Sequence, residues 1–308
     1  MPLPQAFHDL AVEINNWGRW GAKDQLGTLN LITDEVVQRG AACIRTGKRF
    51  SLAMLLSADG PQIGMVPGRI NPVHLMTQVV YPDLGDPEGF HSSDDVITMG
   101  LQAGTHWDAL AHVSYAGRMW NGFDVNAVTP RGAAKCGIEK VKTVVGRGVL
   151  LDVARALGVD RLEGGHVITG ADLDAAQALA GVPVEAGDIV LVRTGHVQHF
   201  LAGDKMSYAH PSPGLSMASA PWLRRHDVAA VAIDTMVFEV WPPERDDCVL
   251  PVHLLHVVEM GLTQGQNWVL EELAADCAAD GVYTFWLDAS PLPVLGGCGA
   301  PINPVAVK

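Results

Sequence analysis

A mixed α/β fold, in which a sheet of parallel and antiparallel strands carries helices on its outside, is predicted by three observations on this 308-residue chain. Short β-rich runs recur at residues 144–145, 149–153, 189–193, 228–233 and 282–287. Only some of these runs are separated by a helix-length segment, so some neighbouring strands must be antiparallel. The 33 glycines and 19 prolines are spread along the sequence, with no repeat, low-complexity tract or linker, so one domain over residues 1–308 is expected. The helices follow from their end signals. Residues 31–45 start at Thr33 or Asp34 as cap and end before Gly47; residues 171–180, 216–226 and 269–279 are further short helices, the last with apolar residues at helical spacing.

Composition excludes several classes of function. A 48% hydrophobic, 18% charged chain is a turn-rich globular protein. Its 34 acidic against 21 basic side chains give a net charge of −13, which repels a phosphate backbone, so nucleic acid is not an expected partner. No apolar run reaches the roughly 18 residues that span a bilayer, and Met1-Pro2-Leu3-Pro4-Gln5 lacks the basic end of a signal peptide. A cytoplasmic protein with no membrane partner is expected. The five cysteines are odd in number and lack CxxC spacing, as reduced thiols would be. Neither a GxGxxG turn nor a GxSxG elbow occurs, which disfavours dinucleotide binding and serine hydrolysis.

The densest polar cluster is Gln102-Ala103-Gly104-Thr105-His106-Trp107-Asp108-Ala109-Leu110-Ala111-His112. If it is extended from its start, Gln102, His106 and Asp108 share one face and Gly104 leaves space between them. An imidazole and a carboxylate two residues apart can hold a divalent ion, with His112 beside it as ligand or base. An isolated HxD is more often a hydrogen-bonded pair than a metal site. Other histidines, at positions 196, 199 and 210, and the Asp246-Asp247 pair have no ligand spacing.

The stretch from Gly104 to His112 resembles the HxGTHxDxPxH signature of the cyclase-like metal hydrolases, the family of bacterial kynurenine formamidase and isatin hydrolase. The opening Asn16-Trp17-Gly18-Arg19-Trp20-Gly21, with Leu26-Gly27-Thr28-Leu29-Asn30, Gly117-Arg118-Met119-Trp120-Asn121-Gly122, Pro213-Gly214-Leu215-Ser216, Asp234-Thr235 and the ending Gly296-Gly297-Cys298-Gly299-Ala300-Pro301-Ile302-Asn303-Pro304, is similar to a longer-chain branch of that family. The resemblance implies a swivelling β/β/α fold, a homodimer or homotetramer, and hydrolysis of non-peptide C–N bonds in small aromatic amides.

Residue by residue, the resemblance implies metal ligands at His106, Asp108 and His253 and a proton-transferring His112. Gln102 stands where the family has a histidine, and Gln266 where it has a glutamate; Glu271 or Glu272 could replace that glutamate only if the alignment slipped. One ion, Mn2+ or Zn2+, is therefore expected, completed by Gln102 or Gln266 and water. A neutral amide oxygen binds more weakly than imidazole or carboxylate and favours oxygen-tolerant manganese. His112 would accept the proton of the attacking water. Trp17, Trp107 and Trp120, with Trp20, could wall a pocket for a small aromatic substrate. The expected activity is hydrolysis of a cyclic or linear amide or a lactone. The alternatives are a lyase-type proton transfer on the same scaffold and a degenerate member that binds a ligand without turning it over.

Overall fold

The structure is a computed structural model that describes residues 3–79 and 88–308. Its strands of three or more residues in chain order are β1 (Arg49–Ser51), β2 (Val73–Gln78), β3 (Asp94–Thr98), β4 (His106–Asp108), β5 (Val145–Asp152), β6 (Ile189–Arg193), β7 (Ala230–Ile233), β8 (Thr263–Gln266), β9 (Thr284–Asp288), β10 (Gly299–Pro301) and β11 (Val305–Val307). All but β2 and β3 join one nine-stranded sheet in the order β1-β11-β9-β5-β6-β7-β8-β4-β10. The centre, β5 to β8, is parallel, and the strands flanking it on both sides run antiparallel. The mixed sheet expected from the uneven strand spacing is what forms.

Both faces of the parallel centre are covered, which explains why its strands are apolar throughout rather than alternating. Val149, Leu151, Val190, Val192, Val231 and Ile233 point into one core; Leu150, Ile189, Leu191, Ala230 and Ala232 point into the other. The first core is roofed by α1 (Gln5–Ile14), α3 (Gly170–Ala180) and α4 (Ala220–Arg225), and the second takes α5 (Glu271–Asp280); α2 (Asp34–Ala41) packs on β5. At about 25 cal/mol per Å² of apolar surface, each fully buried Leu, Ile or Val contributes roughly 1.5–3 kcal/mol, so these two layers hold the central strands in place.

The expected helices form with altered ends. Thr33 caps α2, accepting from Val36 N at 3.4 Å, but the helix stops at Ala41 instead of running to residue 45. The segment 216–226 is divided into the 3-10 turn Met217–Ser219 and α4. α3 carries a Thr169/Asp172 capping box and ends at Gly181 with φ 66°, a left-handed position that suits glycine. The runs expected at 144–145 and 149–153 fall in the one strand β5, which leaves out Val144 and ends at Asp152, with Val153 opening the short helix Val153–Ala156. α1 was not expected from the sequence, although Phe7, Ala11 and Ile14 form a buried stripe at helical spacing.

The strand that matters most is β4, buried at all three residues. It is shorter than the motif suggested: residues 101–105 turn, and only His106, Trp107 and Asp108 are extended. Its register pairs Gln266 with His106 and Gly265 with Trp107, and on the other side Gly299 with Asp108 and Pro301 with His106. Directly paired residues share a face, so His106, Asp108, Gln264 and Gln266 lie on one side and the Trp107 indole on the other. Gly265 makes room for that indole: a Cβ there would sit 2.8 Å from the Trp107 ring and 2.6 Å from Trp268 Nε1. Gly265→Ala is therefore expected to overpack this layer and lower stability by about 1–3 kcal/mol. Urea unfolding followed by tryptophan fluorescence measures it, and an unchanged midpoint would contradict the packing described.

Candidate active site

Each polar group on the site face is fixed by a neighbour of known polarity. His106 Nδ1 lies 2.8 Å from the Gly104 carbonyl oxygen. That oxygen only accepts, so Nδ1 carries the proton and Nε2 of the neutral ring is a bare lone pair. His253 follows the same rule on the opposite wall. It lies on the helical turn Pro251–His253, which continues as the π-helical segment Leu254–Met260, and its Nδ1 is 2.6 Å from Glu239 Oε1. Glu239 also accepts from the backbone N–H groups of Val252 and His253, at 3.1 and 2.9 Å, so the carboxylate fixes both the ring and the start of the helix. His253 Nε2 is left unprotonated and accepts from the Gln266 amide nitrogen at 3.4 Å.

Asp108 sits between them, fully buried. Its Oδ2 accepts from Gln266 Nε2 at 2.8 Å and Gln264 Nε2 at 3.3 Å. Its Oδ1 has no hydrogen-bond partner, and neither has His106 Nε2, 3.4 Å away. His112 Nε2 approaches the same oxygen at 3.6 Å. Burial alone would raise the Asp108 pKa, but the neighbouring imidazoles of His112, His106 and His253 outweigh it and hold the carboxyl well below its usual range. Burial lowers the His112 pKa, Asp108 opposes, and His253, Arg69 and His106 push it further down. Behind this layer His256 is buried with neither ring nitrogen partnered, and burial, then the charge of His253, pushes it down to about 3.

A cavity of about 250 Å³ opens onto this constellation. Its apolar walls are Met65, Val66, Val113, Met236, Val237, Trp241 and Leu250, and its polar lining is Arg69, His112, His253 and Gln266. Met236 and Val237 follow the carboxyl end of β7, and Gln266 ends β8, so the cavity lies where ligands of open α/β sheets usually sit. A larger cavity, about 410 Å³, lies by β1 and β10 and has no titratable group in its lining.

His106, Asp108, His112, His253 and Gln266 thus come together. Gln102 is not on a strand as expected; it lies in the turn before β4, and its side-chain amide fills the space beside Gly299, the residue paired with Asp108. A Cβ on Gly104 would meet Leu56 at an ordinary contact distance of 3.4 Å. The Gly104 carbonyl is what serves the site. Glu271 is committed to Arg193, with Oε2 2.8 Å from Nη2, so it cannot replace Gln266. The tryptophans expected as walls lie elsewhere. Trp107 is wholly buried in the core, where its Nε1 donates to the Ala289 carbonyl at 2.7 Å, and Trp120 is buried against Gly261 with its Nε1 3.1 Å from Asp24 Oδ2. Trp17 packs over Gly122 and donates to the Val258 carbonyl at 2.7 Å, outside the cavity lining.

Four residues of the site were not expected: Glu239, Gln264, Arg69 and Trp241. Glu239 had a signal, being a lone carboxylate inside the apolar run Met236-Val237-Phe238-Glu239-Val240-Trp241, where burial demands a partner. Gln264 had one too, in the strand alternation with Gln266. Arg69 and Trp241 come from irregular segments with no periodic signal.

As a donor set, the site offers two imidazole nitrogens whose other nitrogen is tied to a carbonyl or a carboxylate, the usual arrangement of metal-binding histidines. It also offers one unpartnered carboxylate oxygen. Among the described residues no three His, Cys, Asp or Glu side chains are already gathered as a metal cage. His106 and Asp108 converge, while the amide of Gln266 stands between Asp108 and His253. The chemistry of the donors fits one divalent ion, with Gln266 as the group that has to yield.

Comparison with known proteins agrees with this architecture. Residues 9–240 match the family model named Cyclase, described as "Putative cyclase". No curated protein matches. A crystal structure described as a novel cyclase is similar over 96% of this chain and 100% of its own, with 39% identity and a TM-score of 0.88. Isatin hydrolase A from Labrenzia aggregata, bound to benzyl benzoate, shares the fold at 19% identity and TM-score 0.62, covering 86% of this chain and 94% of its own. A structure described as a predicted metal-dependent hydrolase from Bacillus stearothermophilus does so at 17% identity and TM-score 0.51, over 85% of this chain and 98% of its own. With the family model spanning most of its length and a cyclase structure superposing on nearly all of it, the chain belongs to the cyclase family.

Proposed function

We propose that this protein is a metal-dependent hydrolase that opens a small amide or lactone, cyclic or linear, with an apolar or aromatic body. The observation that carries the reading is the meeting of two bare, buried acceptors, His106 Nε2 and Asp108 Oδ1, at 3.4 Å, with His112 beside them on a cavity wall. Two lone pairs facing each other out of water repel, and a cation between them turns that repulsion into ligation. One Mn2+ or Zn2+ would be held by His106, Asp108 and, once the Gln266 amide turns aside, His253. Gln102 and Gln266 are the neutral oxygen donors for its remaining positions. Such an ion acidifies water and polarises a carbonyl oxygen. The solved neighbours described as isatin hydrolase and as predicted metal-dependent hydrolase support the hydrolase class.

The chain's own residues supply the proton transfers and the orientation. His112, whose pKa burial lowers, takes the proton from the attacking water and returns it to the leaving nitrogen or oxygen. Glu239 holds His253 in the tautomer that leaves Nε2 unprotonated. Apolar walls exclude water from the substrate body, with Trp241 as the aromatic surface of the cavity.

A second reading has its own observation. The Gln266 amide nitrogen spans Asp108 Oδ2 and His253 Nε2 and so supplies hydrogens where a cation would otherwise be needed, as in a member that binds ligand without metal. A calorimetric zinc titration of stripped protein separates the two. We expect stoichiometric binding, and Gln266→Glu is expected to tighten it about tenfold or more, because a carboxylate both ligates and frees His253. Absence of zinc binding in wild type and variant alike would overturn the metal reading. Chelation is likewise expected to abolish hydrolysis of a panel of small amides and lactones, with manganese or zinc restoring it.

His112→Gln is expected to lower kcat by about 10²–10⁴-fold while leaving metal content unchanged, as measured by elemental analysis beside steady-state rates. A full-rate variant would remove His112 from the proton path.

We further propose a cytoplasmic homodimer or homotetramer. The β2–β3 ribbon presents Val73, Leu75 and Val96 on one face, all exposed, Leu75 at 60%. Apolar surface of that kind usually meets a partner. No helix among the described residues is long and apolar enough to cross a membrane. Light scattering is expected to give a multiple of 32.8 kDa at micromolar concentration. A particle of that mass itself would contradict the assembly.

A further inference from the structure

Arg69 is the one arginine or lysine side chain in the lining of the catalytic cavity. It is partly buried, and among the described residues no side chain or carbonyl oxygen forms a hydrogen bond or ion pair with its guanidinium. The other arginines that are at least partly buried, Arg39, Arg147, Arg193 and Arg224, each reach a carboxylate within 3.0 Å. Its place is fixed by the backbone. Arg69 N donates to the Val66 carbonyl at 3.1 Å, Gly100 N donates to the Ile70 carbonyl at 3.1 Å, and a Cβ on Gly100 would press on the Arg69 stem at 3.3 Å. A planar fork with five donors, held at the edge of an apolar cavity and left without an acceptor, is built to receive an anion.

The charges that face it come from three elements. Asp108 on β4 attracts it, while His112 and His253 lie across the same cavity. Asp108 already accepts from two glutamine amides and points its second oxygen at His106, so it does not satisfy the guanidinium. We propose that Arg69 is a specificity-determining residue that binds a carboxylate carried by the substrate, so that the enzyme acts on small apolar carboxylic acids. This rests on the cavity being the catalytic one. The body of such a molecule lies against Met236, Val237 and Trp241, its carboxylate takes two parallel N–H donors from Arg69, and the scissile carbonyl is thereby turned toward His112. At about 250 Å³ the cavity falls just below the usual range for small-molecule sites, which suits a one-ring acid.

The test is calorimetric binding of phenylacetate and its neutral isostere phenylacetamide to wild type, Arg69→Met and Arg69→Lys, each with its metal stripped and again loaded with zinc. Circular dichroism checks the fold of the variants. Wild type is expected to prefer phenylacetate at least tenfold in both states, Arg69→Met to lose that preference while still binding phenylacetamide, and Arg69→Lys to recover part of it. A preference that survives in Arg69→Met overturns the proposal. So does a preference that appears only with zinc, which would assign the carboxylate to the ion and leave the metal reading intact. Loss of zinc binding with the arginine-dependent preference retained would overturn the metal reading alone. If wild type binds none of phenylacetate, benzoate or 3-phenylpropanoate, carboxylate recognition at Arg69 is ruled out.

Discussion

A carboxylate cut off from water must be answered by hydrogen-bond donors or by positive charge, and Asp108 is such a carboxylate. Its surroundings are arranged around that demand. Two amides answer one oxygen, and the other faces two imidazoles, those of His106 and His112. The ordering of the rest follows outward from there. Glu239 fixes His253, the Gly104 carbonyl fixes His106, and the left-handed turn at Leu250 starts the helix that carries His253 toward the sheet.

This arrangement is possible because the site occupies one face of a strand whose other face is core. Trp107 points away from the chemistry and meets Trp268 edge to face, with ring centroids 5.0 Å apart, so the strand is clamped from behind by one of the largest contacts in its layer. Gly265 and Gly299 on the neighbouring strands serve opposite sides: one admits the indole, the other leaves space for the Gln102 amide. The aromatic residue nearest the chemistry in sequence is therefore the one most committed to structure, and the aromatic wall of the cavity comes from Trp241 instead.

The mixed sheet was legible in the sequence because its central strands are apolar runs bounded by turns, and the helices because their caps are explicit. The swivelling β/β/α architecture followed from motif resemblance, and the match to the cyclase family agrees with it. In the site, the HxD spacing brought His106 and Asp108 onto one face, since alternation survives even in a strand of three residues. What periodicity could not supply was the start of that strand, because a turn at residues 101–105 replaces the extended stretch and moves Gln102 off the alternation. The same alternation turns Trp107 to the opposite face, into the core and away from the cavity. Arg69 and Trp241 were invisible for a different reason. They reach the cavity through loops, where position is set by long-range packing rather than by local pattern.

The strand that carries the site is bounded on both sides by late arrivals. β4 lies in the first half of the chain, yet it pairs only with β8 and β10, which come from the far end of the sequence. During synthesis His106 and Asp108 leave the ribosome long before either neighbour exists, and domains complete their long-range pairings only once the chain is available. A nascent chain at that stage has the two residues on an unpaired segment, without the glutamines, the second histidine or the sheet face that orients them. The face that carries these side chains is therefore complete only once the far end of the polypeptide is available.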